Sequence, residues 1–198
     1  MIGTGRPTVG DVALGVWDRW QQLAAIRSGS RRAGRFASFG DGSVVCFPPA
    51  ALYGEQAIHV GRDVMIGPRV ALSAGMDPAQ ELISDEIVRI GDGCLIGRGC
   101  SIVAHYRVTI GDDVFFGPNV YVTDQNHSVD RPEVPIGRQA EPERPVVIGD
   151  GSWLGTNAVV LPGVTIGRHV AVGAGSIVTT DLPDHTVAAG VPARVLKS

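Results

Sequence analysis

Apolar positions recur along this chain with a period of six. An aliphatic or aromatic residue stands directly before glycine at Val60, Ile66, Ile90, Ile96, Ile110, Phe116, Ile148, Leu154, Ile166 and Val172. Successive members are 6, 24, 6, 14, 6, 32, 6, 12 and 6 residues apart, and only 14 and 32 are not multiples of six. A second inward row lies two residues earlier: Ile58, Val64, Val70, then Val108, Val114, Val120, then Val146, Ser152, Ala158, Val164, Val170, Ser176. The residue between two inward positions points out, as strand geometry requires. Each hexad therefore reads as a very short strand followed by a bend. Glycine relieves the bend where backbones approach closely or φ turns positive. Six-residue repeats of this kind predict an all-β parallel β-helix, three hexads to a triangular coil of 18 residues. Ile148 then stacks beneath Ile166 and Leu154 beneath Val172, with coils about 4.8 Å apart. The period alone leaves the handedness open.

Three segments break the repeat. Residues 73–89 carry Met76-Asp77-Pro78 with Glu81, Asp85 and Glu86; residues 104–107 add two residues; residues 124–145 are rich in proline and charge. Long irregular stretches in a compact fold usually serve function, although 73–89 reads equally well as a tolerated surface insertion. Before residue 50 the pattern changes. Asp11 to Arg27 reads as a helix with Val12, Val16, Trp20, Leu23 and Ala24 on one face, and Thr8 with Asp11 has the spacing of an N-terminal cap. The helix is expected to be a packing element or a contact between subunits. A basic run follows at Arg27, Arg31, Arg32 and Arg35, either a solvated linker or a contact with phosphate or an anionic membrane surface. The expected division is a helix and linker over 1–50, a β-helix over 51–180 with an inserted loop at 124–145, and a tail over 181–198.

Composition narrows the function. Of 198 residues, 44% are hydrophobic, 19% are charged and 27 are glycine, which is globular and has no collagen period. A net charge of −3 argues against a general nucleic-acid binder. No run of about 18 apolar residues predicts a membrane span, and Met1–Gly10 lacks the signature of a signal peptide. Cys46, Cys94 and Cys100 show no metal-like spacing, so a reduced, cytoplasmic protein is expected.

Among five histidines, His127 stands where the repeat ends, in Val122-Thr123-Asp124-Gln125-Asn126-His127. A polar cluster at the edge of a rigid scaffold is a good place for chemistry. This stretch resembles the active-site segment of hexapeptide-repeat O-acyltransferases, including sugar acetyltransferases such as the maltose, galactoside and colanic-acid types. The run Ser152-Trp153-Leu154-Gly155-Thr156-Asn157-Ala158-Val159-Val160-Leu161-Pro162-Gly163-Val164-Thr165-Ile166-Gly167 is similar to that family's most characteristic segment, and Val187–Arg194 to its usual ending. The likeness covers roughly residues 55–198. It implies a left-handed helix, a homotrimer with sites at subunit interfaces, and acetyl transfer from acetyl-CoA to a sugar hydroxyl with no metal required. His127 is then the general base, a role that imidazole suits at neutral pH. Asn126 and Asp124 either orient the imidazole, bind the acceptor or simply cap the turn. The resemblance places Trp153 along the pantetheine arm of the coenzyme, with Gly155, Thr156 and Ala174 beside it. Thr179 falls near the adenosine end and Arg194 near the phosphates, where a guanidinium donates two parallel hydrogen bonds.

The chain departs from the family in two places. Thr179 is followed by Thr180 where lysine is frequent, and Lys197 is the candidate replacement. An asparagine that holds the sugar in some relatives has no match near Gly97. His105 either faces the same cleft or is structural. Three other readings stand beside an O-acyltransferase. One is an N-acyltransferase on an amino sugar or amine. A second is a γ-type carbonic anhydrase, which needs a close histidine pair that is absent from this sequence. The third is a non-catalytic scaffold.

Overall fold

The computed structural model describes residues 8–198. The hexads close into a three-sided coil whose sides are parallel sheets. The first sheet stacks Val44–Val45, Met65–Ile66, Leu95–Ile96, Phe115–Phe116, Trp153–Leu154 and Ala171–Val172. The second stacks Ala51–Tyr53, Ala71–Ala74, Ser101–Ala104, Tyr121–Thr123, Val159–Val160 and Ile177–Val178. The third stacks Ser38–Phe39, Ile58–Val60, Val88–Ile90, Val108–Ile110, Val146–Ile148 and Thr165–Ile166. Ile148 pairs with Ile166 and Leu154 with Val172, the expected register.

The inward rows form one continuous core, in which Ile66, Ile96, Phe116, Leu154 and Ile166 are fully buried. Each such side chain is worth about 1.5–3 kcal/mol in transfer free energy. Two serines in this row keep their hydroxyls bonded within the ladder. Ser152 Oγ donates to the Gly167 carbonyl at 2.9 Å and accepts from the Val170 amide at 3.0 Å, and Ser43 repeats the device with Gly61 and Val64. Cys94 and Cys100 fill the same row, and burial pushes both thiols up to about 11. Backbones meet closely at the corners. A Cβ added at Gly155 would lie 2.6 Å from the Ala174 nitrogen, so only glycine fits there.

The coil begins earlier than the expected boundary at residue 50. Ser38 and Phe39 already pair with His59 and Val60. After Thr180 the hexads stop. Val187–Gly190 then adds one more parallel strand and Ala193–Lys197 folds back on it antiparallel, covering a sheet end that would otherwise present unpaired backbone groups. The N-terminal helix spans Val9–Ala24 and carries the full capping box of Thr8 and Asp11. None of its residues is buried, so within one chain it is not the packing element that its apolar face predicts.

The three breaks share one origin. Each follows a strand of the second sheet: 75–87 after Ala71–Ala74, 105–107 after Ser101–Ala104, and 124–145 after Tyr121–Thr123. Those strands are direct neighbours, with Ala74 beside Ala104 and Val103 beside Thr123. The insertions therefore leave the same corner of three successive coils and stack on one another.

Candidate active site

The stacked insertions enclose a cavity of about 230 Å³. Its walls include Met76 from the first insertion and His105 from the second. Gln125, Asn126, His127, Arg138, Glu141 and Glu143 come from the third. His127 opens a tight return in the long insertion, where its backbone bridges to Ala140. Its Nδ1 lies 3.2 Å from the Gln139 carbonyl, which also accepts the Ser128 amide at 3.0 Å. A carbonyl only accepts, so in the neutral ring Nδ1 carries the proton and Nε2 keeps its lone pair. That tautomer is the one a general base needs.

Gln139 fixes this arrangement. It is 1% exposed, and its amide donates to the Arg131 and Val134 carbonyls at 2.8 and 2.7 Å while accepting the Arg131 amide at 3.1 Å. Nothing in the sequence marks it. A glutamine in a charged, proline-rich loop gives no sign that it turns inward.

Asp124 has a different role from that of an imidazole partner. Its carboxylate is fully buried and accepts the backbone amides of His105 at 3.0 Å, Tyr106 at 2.8 Å and Arg107 at 2.7 Å. It holds the two-residue insertion in place and so sets His105. Asn126 uses Oδ1 to accept the amide of His127 at 2.9 Å, a local cap that leaves its NH₂ at the cavity. His105 does face the same cleft. Its side chain is 7% exposed, and neither ring nitrogen has a hydrogen-bond partner among the described residues; Glu143 Oε1 lies 3.8 Å from Nδ1. Met76, Arg138, Glu141 and Glu143 line the cavity without having been singled out in the sequence, and Gln139 supports it from behind. Counting hexads would have shown that all three breaks fall after the same sheet, the one available signal.

The remaining candidates lie elsewhere on the coil. Trp153 projects from the first sheet, about half exposed, in a column that runs Phe115, Trp153, Ala171, Val187, Lys197. Three strand steps separate Trp153 from Lys197, about 14 Å. Arg194 pairs with Ala189 on the same closing hairpin. Gly155, Thr156 and Ala174 form the adjoining corner, where the Thr156 carbonyl accepts the Gly175 amide at 2.8 Å. Thr179 is separated from this group. It ends Ile177–Val178 of the second sheet and so stands at the His127 corner, two coils on, about 10 Å along the axis. His127 and Trp153 thus occupy different sides of the coil.

Three larger hollows hold less chemistry, one of about 370 Å³ being lined by Ala13, Val16, Trp17 and Trp20 of the N-terminal helix. A groove of about 480 Å³ beneath the N-terminal helix has Cys46 as its thiol, held above its ordinary range by burial. Another, of about 410 Å³, runs along the third sheet past Asp92, Asp112 and Asp150. There each carboxylate accepts the amide of the coil before it, from Arg62, Asp92 and Asp112 at 2.8, 2.8 and 2.9 Å. No group of three or more His, Cys, Asp or Glu side chains able to share a metal ion occurs among the described residues.

Comparison with known proteins agrees with this geometry. Residues 145–180 match the bacterial transferase hexapeptide (six repeats) model, and residues 87–124 match the hexapeptide repeat of succinyl-transferase. The galactoside O-acetyltransferase of Escherichia coli K12 is 37% identical over 147 residues, 74% of this chain and 66% of that protein. The putative lipopolysaccharide biosynthesis O-acetyl transferase WbbJ of the same strain is 36% identical over 156 residues, 75% of this chain and 76% of WbbJ. The structure of PerB from Caulobacter crescentus in complex with CoA and GDP-perosamine superposes with a TM-score of 0.55 at 26% identity, covering 77% of this chain and 56% of PerB. With repeats, cavity and relatives in agreement, the chain belongs to the hexapeptide-repeat acetyltransferases, and its coil is the left-handed parallel β-helix of that family.

Proposed function

We propose that this chain transfers an acetyl group from acetyl-CoA to a hydroxyl of a sugar or glycoconjugate, with His127 as the general base. The carrying observation is the Nδ1 contact to the Gln139 carbonyl, which presents a basic Nε2 in a cavity walled by polar groups. His127 takes the proton of the acceptor hydroxyl as its oxygen attacks the thioester carbonyl, and the coenzyme thiolate leaves. General-base help of this kind is worth about 10²–10⁴-fold. The acceptor lies between His127 and His105, whose unpartnered ring offers it a hydrogen bond, while Met76 covers an apolar edge.

The acyl donor lies along the Trp153 column. Its extended, amide-rich arm follows the ridge of turns at Gly155, Thr156 and Ala174, and Arg194 and Lys197 meet its phosphates. The two sides of the reaction come together in a homotrimer. Met65, Leu95, Phe115 and Trp153 form an outward apolar column on the first sheet, each more than two-fifths exposed in the single chain. A neighbour covering that column brings its His127 corner to this groove, and closed symmetry makes three such sites. The free thiols and the coenzyme fit the cytoplasm.

A second reading has its own observation. Glu141 and Glu143 both line the cavity and suit a cationic acceptor, an amino sugar acylated on nitrogen. Thiol release from acetyl-CoA tests both, with matched panels of sugar hydroxyls and amino sugars. Activity lost in His127→Ala, with acetyl-CoA binding retained there and weakened in Trp153→Ala, is the expected result. No turnover on either panel, with no binding of acetyl-CoA to the native protein, overturns both readings. Sedimentation as a monomer overturns the shared site.

A further inference from the structure

No residue of the N-terminal helix belongs to the buried core. Its apolar residues Val9, Val12, Ala13, Val16, Trp17, Trp20, Leu23 and Ala24 fall on one continuous arc of about 140°, at 100° per residue, with the exposed Leu14 lying off it. Val12, Val16 and Leu23 are more than half exposed, and Trp17 and Trp20 about half. Trp17, Trp20 and Phe47 make a short aromatic row, with centroids 5.6 and 4.8 Å apart, where the helix meets the coil.

Charge divides at the same place. Residues 1–35 hold six arginines against two aspartates, a net +4, whereas the rest of the chain is net −7. Arg27, Arg31 and Arg32 follow the helix directly, are exposed, and have no carboxylate partner among the described residues; Arg35 pairs with Glu55. The aligned carboxylates of the coil, Asp92, Asp112 and Asp150, already accept backbone amides. Lipid phosphates are free.

We infer that the helix Val9–Ala24 docks on an anionic phospholipid bilayer, apolar arc down, with Arg27, Arg31 and Arg32 on the headgroup phosphates. An amphipathic helix of this kind lies in the interface plane and does not cross the bilayer. Tryptophan suits that depth because its ring is apolar and its N–H polar. The arginines add an attraction that salt screens. The helix is too short and too polar to span, in keeping with the absence of any helix long and apolar enough to cross a membrane among the described residues. This inference does not depend on the catalytic reading.

Flotation of the full chain with extruded vesicles tests it, comparing phosphatidylcholine alone with phosphatidylcholine containing one-third phosphatidylglycerol. Binding to the anionic vesicles is expected, and high salt should weaken it about tenfold or more. Trp17→Ser with Trp20→Ser abolishes it, and Arg31→Glu with Arg32→Glu lowers it about tenfold or more. Both variants keep the melting temperature of the coil, because the helix buries no residue, and keep thiol release on soluble acceptors. Failure of the native protein to float, or equal flotation of either variant, overturns the inference. Absence of flotation together with a smaller sedimenting mass for the tryptophan variant also overturns it, and assigns the face to a contact between copies.

Discussion

Replacing Asp124 tests whether the coil and the cavity are coupled as the hydrogen bonds indicate. Its carboxylate is fully buried and serves three consecutive backbone amides, those of His105, Tyr106 and Arg107. Asparagine with its oxygen in the Oδ2 position keeps the amides of Tyr106 and Arg107 and holds that of His105 only at the longer 3.2 Å. The third N–H then faces an amide NH₂. An unsatisfied buried donor costs about 1–3 kcal/mol, and the two retained bonds lose charge assistance worth about 1 kcal/mol together. Asp124→Asn should therefore cost about 3 kcal/mol. Asp124→Ala, which leaves three donors without a partner, should cost about 5 kcal/mol. For a chain of this size 1 kcal/mol is about 2–4 °C, so the asparagine variant should melt about 6–12 °C lower. Scanning calorimetry reads this directly. The functional consequence is narrower. His105 depends on Asp124 for its backbone position, so KM for the acceptor should rise while acetyl-CoA binding, measured by titration calorimetry, stays unchanged. A melting temperature for Asp124→Ala within about 2 °C of the native protein would refute the reasoning, as would an equal loss of affinity for both substrates.

Gly155→Val places a Cβ 2.6 Å from the Ala174 nitrogen, so the fifth and sixth coils must separate; acetyl-CoA affinity and melting temperature should fall together in calorimetry. Asp92 and Asp184 are held below the ordinary carboxylate range by the backbone and side chains of Arg62 and Arg168. Their contribution to stability is present above about pH 4 and is lost as pH falls through their lowered values, so Asp92→Asn with Asp184→Asn should flatten the acid limb of a melting-temperature profile. Cys94 and Cys100, pushed up to about 11 and buried, should resist a thiol reagent at pH about 8 until the chain is denatured, whereas the part-exposed Cys46 should react first in a colorimetric titration.

The stacking of Ile148 on Ile166, the capping box at Thr8 and the end of the hexads at Thr180 were all legible in the chain. Each depends on residues within one or two turns of one another, where side-chain spacing alone decides inward or outward. The role of Asp124 was not legible, because it stands where the repeat breaks and no hexad position tells which backbone amides its carboxylate meets. Nor was the orientation of His127 legible, because the carbonyl that selects its tautomer comes from Gln139 across the return of a loop with no repeat to index it. The helix at Val9–Ala24 is legible as a helix, but an apolar face on a wheel does not say what covers it, and within one chain nothing buries it.

By itself, then, the sequence determined the coil. A period of six with glycine at the bends stacks the inward rows into one column whichever way the coil winds, and the family motifs marked the hand and, within the coil, His127 and Trp153. Only the tertiary structure decided the site. Met76, His105, His127 and Glu143 are far apart along the chain and share a cavity because three insertions leave one corner of coils stacked about 4.8 Å apart. That corner is a property of the phase of the winding, and phase accumulates over whole coils, beyond the reach of any local pattern.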